Sequence, residues 1–175
     1  MAETRQDVIF RESQRFTQKW VWLLVTLMAV GIWIMTLVHF FFARPGQTSL
    51  STDIIVVLSW ALAGVGVPIL FLTMELVTEV RTDGLYVRMI PFHLHFKRFT
   101  WGEIRECKAR EYDPIREYGG WGIRMGRNGR AYNMSGNRGV QLVLTDGKRL
   151  LVGSQRAEEL AAAIEQTRRG KGFTP

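Results

Sequence analysis

His93 and His95 are spaced so that, on a strand, both imidazoles would fall on one face. Two imidazoles so placed can begin a zinc site, which then needs a third ligand and a second shell to orient it. Glu79, Glu103 and Glu106 are near in sequence, but their spacing fixes no third ligand, so a pair of exposed strand histidines is the competing reading. A different chemistry is suggested by the run "EYGGWGIRMGRNGRAYNMSGNRG", Glu117 to Gly139, crowded with glycine, arginine and aromatic residues. A phosphate-gripping Walker loop needs G-x-x-x-x-G-K-[ST], and no lysine lies anywhere in this run. A dinucleotide loop needs G-x-G-x-x-G between a strand and a helix. Here Gly120, Gly122 and Gly126 have one residue too many in the second gap, and Asn128-Gly129 opens a hairpin instead of a helix. Cys107 is the only cysteine and has no neighbouring histidine in sequence, so neither nucleophilic catalysis nor an intrachain disulfide is supported. The sequence predicts no enzyme, no cofactor and no bound metal.

Read as a strand, the same run directs Trp121, Ile123 and Met125 to one face and Gly120, Gly122 and Arg124 to the other. A glycine-lined face admits a close backbone or ring. Two readings stand: internal packing, with an aromatic ring lying on the bare face, or docking of a partner strand. The second makes Gly120, Trp121, Gly122 and Arg124 the partner-binding set. Arg124, Arg127, Arg130 and Arg138 lie in a segment without any acid between Tyr118 and Thr145. Such a patch attracts nucleic acid electrostatically. It also suits an anionic membrane surface, at about 1 kcal/mol per basic residue. A merely solvated basic face is the third reading. The membrane reading needs no extra partner, because of the elements that carry the patch.

Those elements differ sharply along the 175 residues. Mean hydropathy is near zero although 22% of residues are charged and the net charge is +7. The average conceals two stretches, Trp20–Phe42 and Ile54–Met74, without any Asp, Glu, Lys or Arg. At about 1.5 Å per helical residue each reaches roughly 30 Å, the hydrocarbon thickness of a bilayer. The rival readings are buried core helices and, for the first stretch, a signal peptide. Its length and the ending "FFARPG" fit a cleaved signal poorly. Trp20 and Trp22 at one end, with Phe40 to Phe42 at the other, match the aromatic preference of membrane interfaces. Arg5, Arg11, Arg15 and Lys19 precede the first stretch, only Arg44 lies in the connection, and basic residues abound after the second. The positive-inside rule then expects an inner-membrane, multi-pass protein with both termini cytoplasmic. His39, inside the first stretch near its outer end, and Glu75, at the exit of the second, are the ionisable groups there that merit a functional hypothesis.

Three parts follow: a charged amphipathic lead-in over residues 1–19, a helical hairpin over 20–77 with spans at about 20–42 and 54–76, and a β domain over 78–170. A loose tail, 171–175, ends the chain. "AGVGVP" marks a kink or close-packing point in the second span. Asp83-Gly84, Asn128-Gly129 and Asp146-Gly147 are hairpin signals. Alternation appears at Leu85, Val87 and Met89, at Leu94 and Phe96 opposite His93, His95 and Lys97, and at Val140, Leu142 and Leu144. A closing helix is expected at about 155–169, with Ser154 as N-cap, acids in its first turn, Arg168 and Arg169 in its last, and an apolar stripe of Ala157, Leu160, Ala161 and Ile164.

Two spans, then strands, then "WGEI" at Trp101–Ile104 and a C-terminal helix resemble bacterial membrane proteins with a pleckstrin-homology-like (PH-like) cytoplasmic domain of the bacterial type. "YGGWGIR", Tyr118–Arg124, with "GVQLVLTDGKRLLVGSQRAEELAAAI", Gly139–Ile164, is similar to an uncharacterised group of such two-span proteins. The resemblance implies an α+β membrane protein whose hairpin precedes a seven-stranded curved barrel capped by one helix. It implies no activity, because that fold hosts lipid, peptide and protein binders. The expectation is a membrane-anchored scaffold that binds a protein partner, or a second copy of itself, and touches anionic lipid; nucleic acid is disfavoured. The alternative is an accessory subunit of a membrane enzyme or transporter, working through His39, Glu75 or the His93/His95 pair.

Overall fold

Residues 8–15, "VIFRESQR", alternate outward and inward side chains, and they form strand β1 (Val8–Arg15). The computed structural model describes residues 8–42, 49–126 and 128–172. It divides into a helical unit, Thr17–Thr73, and a β unit built from the residues before Thr17 together with those after Thr73. Within the segment expected as a charged lead-in, residues 8–15 thus form a strand of the β unit. Its inward face carries Phe10, Glu12 and Gln14, and the two polar residues hide the strand stripe from a hydropathy reading. Glu12 is matched inside, and Gln14 through its amide N–H, while Gln14 Oε1 is buried without a partner. Ser154 Oγ–H and the Gln155 N–H donate to the Glu12 carboxylate at 2.5 and 2.8 Å, and Gln14 Nε2–H donates to the Gly153 carbonyl at 2.8 Å.

The helical unit holds α1 (Lys19–Phe42) and a second helix made of α2 (Leu50–Ser59), a wide π-helical stretch (Trp60–Gly66) and α3 (Val67–Thr73). By length and composition, Lys19–Phe42 and Leu50–Thr73 are each apolar enough to cross a membrane. The second helix starts earlier than the charge-free stretch does, because Ser49 caps it, accepting the Thr52 N–H at 3.3 Å. It also stops earlier: Glu75 and Leu76, expected in the span, already belong to the sheet. The π stretch coincides with "AGVGVP", where Pro68 cannot donate to the ladder and its ring presses on the preceding turn. A Cβ on Gly64 would lie 3.2 Å from Ile32 Cγ2, so the two helices meet closely there. Trp33 and Trp60 meet edge to face at 5.3 Å.

In the β unit, β2 (Glu75–Arg81), β3 (Gly84–Ile90) and β4 (Lys97–Thr100) join β1 in a four-stranded antiparallel sheet of order β1-β2-β3-β4. A short 3-10 turn (Trp101–Glu103) leads to β5 (Ile104–Glu111), α4 (Pro114–Tyr118), β6 (Gly122–Gly126), β7 (Gly129–Asn133), β8 (Arg138–Leu144), β9 (Arg149–Gly153) and α5 (Ala157–Gly170). The second sheet has order β5-β8-β9-β7-β6, with β7 and β9 parallel. In place of the expected seven-stranded curved barrel there are two sheets of four and five strands, which do not close into a barrel. All three turn signals sit at hairpins: Arg81↔Gly84, Gly126↔Gly129 and the β8–β9 turn.

Register explains the core. Leu76, Val80, Leu85, Val87 and Met89 share the inner face of the first sheet, and Tyr132, Val140, Leu142, Leu150 and Val152 that of the second. All ten are buried. α5 covers β5 and β8 and reaches β1 and β2. Its buried stripe is Ala157, Leu160, Ile164 and Arg168, whose guanidinium donates to the Arg105 carbonyl at 3.1 Å. Ser154 supports the helix start from outside, accepting the Arg156 N–H at 3.0 Å, while Arg156 occupies the cap position.

Candidate functional site

The run from Asp113 to Gly139 is built outward from a five-residue helix. Asp113 caps α4, accepting the N–H groups of Ile115 and Arg116 at 3.0 and 2.9 Å, and Pro114 suits the first turn because its missing N–H would be unpaired there anyway. Gly119, at φ 73°, ends the helix in the left-handed conformation that glycine adopts without penalty. The Glu117 carboxylate ties this helix to two other elements. It receives Arg110 of β5 at 2.8 and 3.2 Å and Asn128 of the β6–β7 turn at 2.9 Å. The hydrogen bonds from Arg110 hold its pKa at about 2, well below the usual carboxylate range. Beneath α4, Tyr112 and Tyr118 pack edge to face at 5.9 Å with Ala131 and Leu151.

β6 emerges from this clamp as the last strand of its sheet, pairing only with β7 among the described residues. An antiparallel strand with one neighbour turns half of its N–H and C=O groups outward. β1, β4 and β5 also end their sheets: side chains of β1 bond to Gly153, Ser154 and Gln155, β4 runs into the turn before β5, and α5 contacts β5. On β6, Ile123 is 37% exposed and Met125 70% exposed, and Arg124 is exposed between them.

The predicted partner-binding residues lie around this edge, but not as the alternation suggested. Gly120 and Trp121 precede the strand. Gly120 and Gly122 have φ of 124° and 110°, and within 4 Å their missing Cβ atoms would meet nothing but the Arg124 side chain. No ring or backbone lies on them, so the expected close packing is absent and their glycine identity comes from backbone conformation. Trp121 donates its indole N–H to the Gly136 carbonyl at 3.0 Å, and Gly122 N–H donates to Asn133 Oδ1 at 3.0 Å. Arg124 folds back, donating to the Trp121 carbonyl at 2.8 Å. Backbone crowding falls instead on Gly126 and Gly129, whose Cβ atoms would sit 2.1 Å from the Glu117 and Arg149 carbonyl oxygens.

Arg124, Arg130 and Arg138 do not make one patch. Arg124 pairs with Ala131 and Arg130 with Met125, so the two point to opposite faces. Arg138 is taken up by Glu158 and Glu111, acids outside the acid-free segment. Arg127 lies outside the described residues. Arg130 instead joins a cluster that the sequence reading missed. Tyr132, fully buried, accepts from Lys97 Nζ at 3.0 Å and from Arg130 at 3.5 Å, and the His93 ring meets it edge to face at 5.6 Å. Burial first, then the charges of Lys97 and Arg130, lower the His93 pKa below its ordinary 6.5. Lys97 comes from the first sheet and Tyr132 from the second, so spacing along the chain could not reveal the group.

The remaining titratable candidates are scattered over both units. His93 and His95 are not on a strand: residues 91–96 form turns, with His93 half-buried and His95 exposed. His39 Nε2 lies 2.7 Å from Asp53 Oδ1, joining the two apolar helices near their connection. Glu75 receives Ser13 Oγ–H and lies 3.8 Å from Arg15. Cys107 is half-buried, and burial pushes its thiol up to about 12, which leaves it a poor nucleophile.

Residues 1–168 match the model of a family of unknown function, DUF6141. No curated protein matches the chain.

Proposed function

The chain belongs to the DUF6141 family, and from that premise, which carries no activity, we propose that it is a membrane-tethered interaction module. Two apolar helices anchor it in the inner membrane with both termini cytoplasmic. The β unit works there as a PH-like scaffold, without a catalytic role. The anchoring is supported by the helix lengths and by the concentration of basic residues before the first helix and after the second. The PH-like reading is supported by two sheets with a C-terminal helix lying along them.

The observation that carries the proposal is the free edge of β6. Its outward backbone groups, its exposed Ile123 and Met125 and the clamp of α4 behind it suit addition of an extended strand from a protein partner. Arg124 on one face and Arg130 on the other favour a segment that carries acids beside its apolar residues. A rigid edge also lowers the ordering cost of such binding.

The test is purification of the full chain in gentle detergent, beside an Ile123→Lys, Met125→Lys variant. Both positions are exposed, so the variant folds. A protein partner should accompany the parent chain and be lost from the variant. Equal recovery with both chains, or no companion with either, would reject the edge as the binding site.

A further inference from the structure

Leu94 is 84% exposed, the highest value among the large apolar side chains of the described residues, and Phe92 beside it is 55% exposed. The loop that presents them is held in place. His93 N–H donates to the Met89 carbonyl at 2.8 Å, the His93 ring rests on Tyr132, and Phe96 is covered by the Arg88 guanidinium at 4.5 Å. Phe92 and Leu94 therefore point out of a fixed frame.

The register says which end of the sheet they occupy. Arg15 pairs with Glu75, and Glu75 with Ile90. Strands neighbour each other at about 4.8 Å, so the loop after Ile90 leaves the sheet within roughly 10 Å of both points where the chain departs for the apolar helices. The 3-10 turn marks the opposite end, where Trp101 donates to the Thr82 carbonyl. Cations gather beside the loop without acids: Lys97 and Arg130 share Tyr132 and have no carboxylate partner among the described residues.

We propose that residues 91–96 form a second membrane contact, in which Phe92 and Leu94 enter the headgroup–acyl boundary of an anionic bilayer while Lys97 and Arg130 take a lipid phosphate. Apolar insertion and basic attraction reinforce each other in such contacts. The inference rests on the reading that the helices span the membrane.

The test uses the full chain in vesicles of phosphatidylcholine with and without phosphatidylserine, labelled with an environment-sensitive fluorophore through Leu94→Cys. Cys107, which is half-buried, is replaced by serine in every labelled chain. The control label is at Gln166→Cys, exposed near the α5 end that Arg168 fastens to Arg105, just past the Trp101 turn. With brominated acyl chains, the label at 94 should be blue-shifted and lose most of its emission, more so with phosphatidylserine. The label at 166 should not change. Lys97→Gln with Arg130→Gln should remove the phosphatidylserine dependence. Alkaline carbonate extraction of the same vesicles separates the two claims. Protein that stays in the vesicles while the label at 94 remains unquenched overturns the loop contact alone. Protein that is extracted overturns the spanning reading, and the inference with it.

Discussion

Arg110 and Glu117 meet through two parallel N–H···O bonds, 2.8 and 3.2 Å long, which fasten α4 to β5 and so hold the frame from which β6 projects. The same carboxylate takes Asn128 at the far end of β6. One acid therefore positions both ends of the free edge.

Acid should loosen this frame in a definite window. Arg110 lowers Glu117 from an ordinary 4.5 to about 2. A depressed carboxyl contributes stability that is complete above its unfolded value and is lost as pH falls through the folded one. The thermal midpoint of the β unit should therefore drop between about pH 4.5 and pH 2. Asp146, Glu103 and Glu159 are lowered too, so the diagnostic quantity is the difference from Glu117→Gln. That variant should be less stable at pH 7 and should lose less on acidification. Parallel pH curves for the two chains would contradict the assignment.

Because β1 precedes the helices, residues 78–170 alone lack β1 and part of β2 and should not fold. Joining residues 8–16 to 74–172 through a short glycine-containing turn should restore a soluble, mainly β protein, since Arg15 and Glu75 already pair as hairpin neighbours. Circular dichroism with a cooperative melt decides this. A folded 78–170 fragment would show β1 to be dispensable.

Two glycines separate backbone conformation from crowding. Gly122→Ala meets only the Arg124 side chain, 4.0 Å away, but keeps φ of 110°, a strain of about 1–3 kcal/mol. Gly129→Ala combines φ of 95° with a Cβ 2.1 Å from the Arg149 carbonyl oxygen, adding an overpacking cost of about 1–3 kcal/mol. The second should lower the thermal midpoint by several degrees more than the first. Equal shifts would mean that the β9 backbone yields freely.

Topology has its own measurement. A reporter active only outside the cytoplasm should be active when fused after Gln47 and silent at the C-terminus. The reverse pattern would turn the protein over and remove the basic-residue argument.

What was legible in the sequence followed from local chemistry. Asp-Gly and Asn-Gly pairs mark turns wherever they fall, charge-free runs mark the apolar helices, and the acids and arginines at the two ends of α5 match its dipole. What was illegible depended on partners distant in sequence. β1 hid because Glu12 and Gln14 face inward and find Ser154 and Gly153. Arg138 looked unpaired until Glu158 was folded beside it. His93 and His95 looked like strand neighbours, but the strand begins only at Lys97. The β6 region was marked as a strand by its alternation; its place at the sheet edge came from pairing order alone.

The most direct measurement of the central claim is photocrosslinking in native membranes from a photoreactive side chain placed at Met125, with Gln166 as the control position. A partner strand added to β6 predicts one discrete protein adduct from position 125 that position 166 does not give. Absence of any adduct at 125, or the same adducts from both positions, would contradict the account.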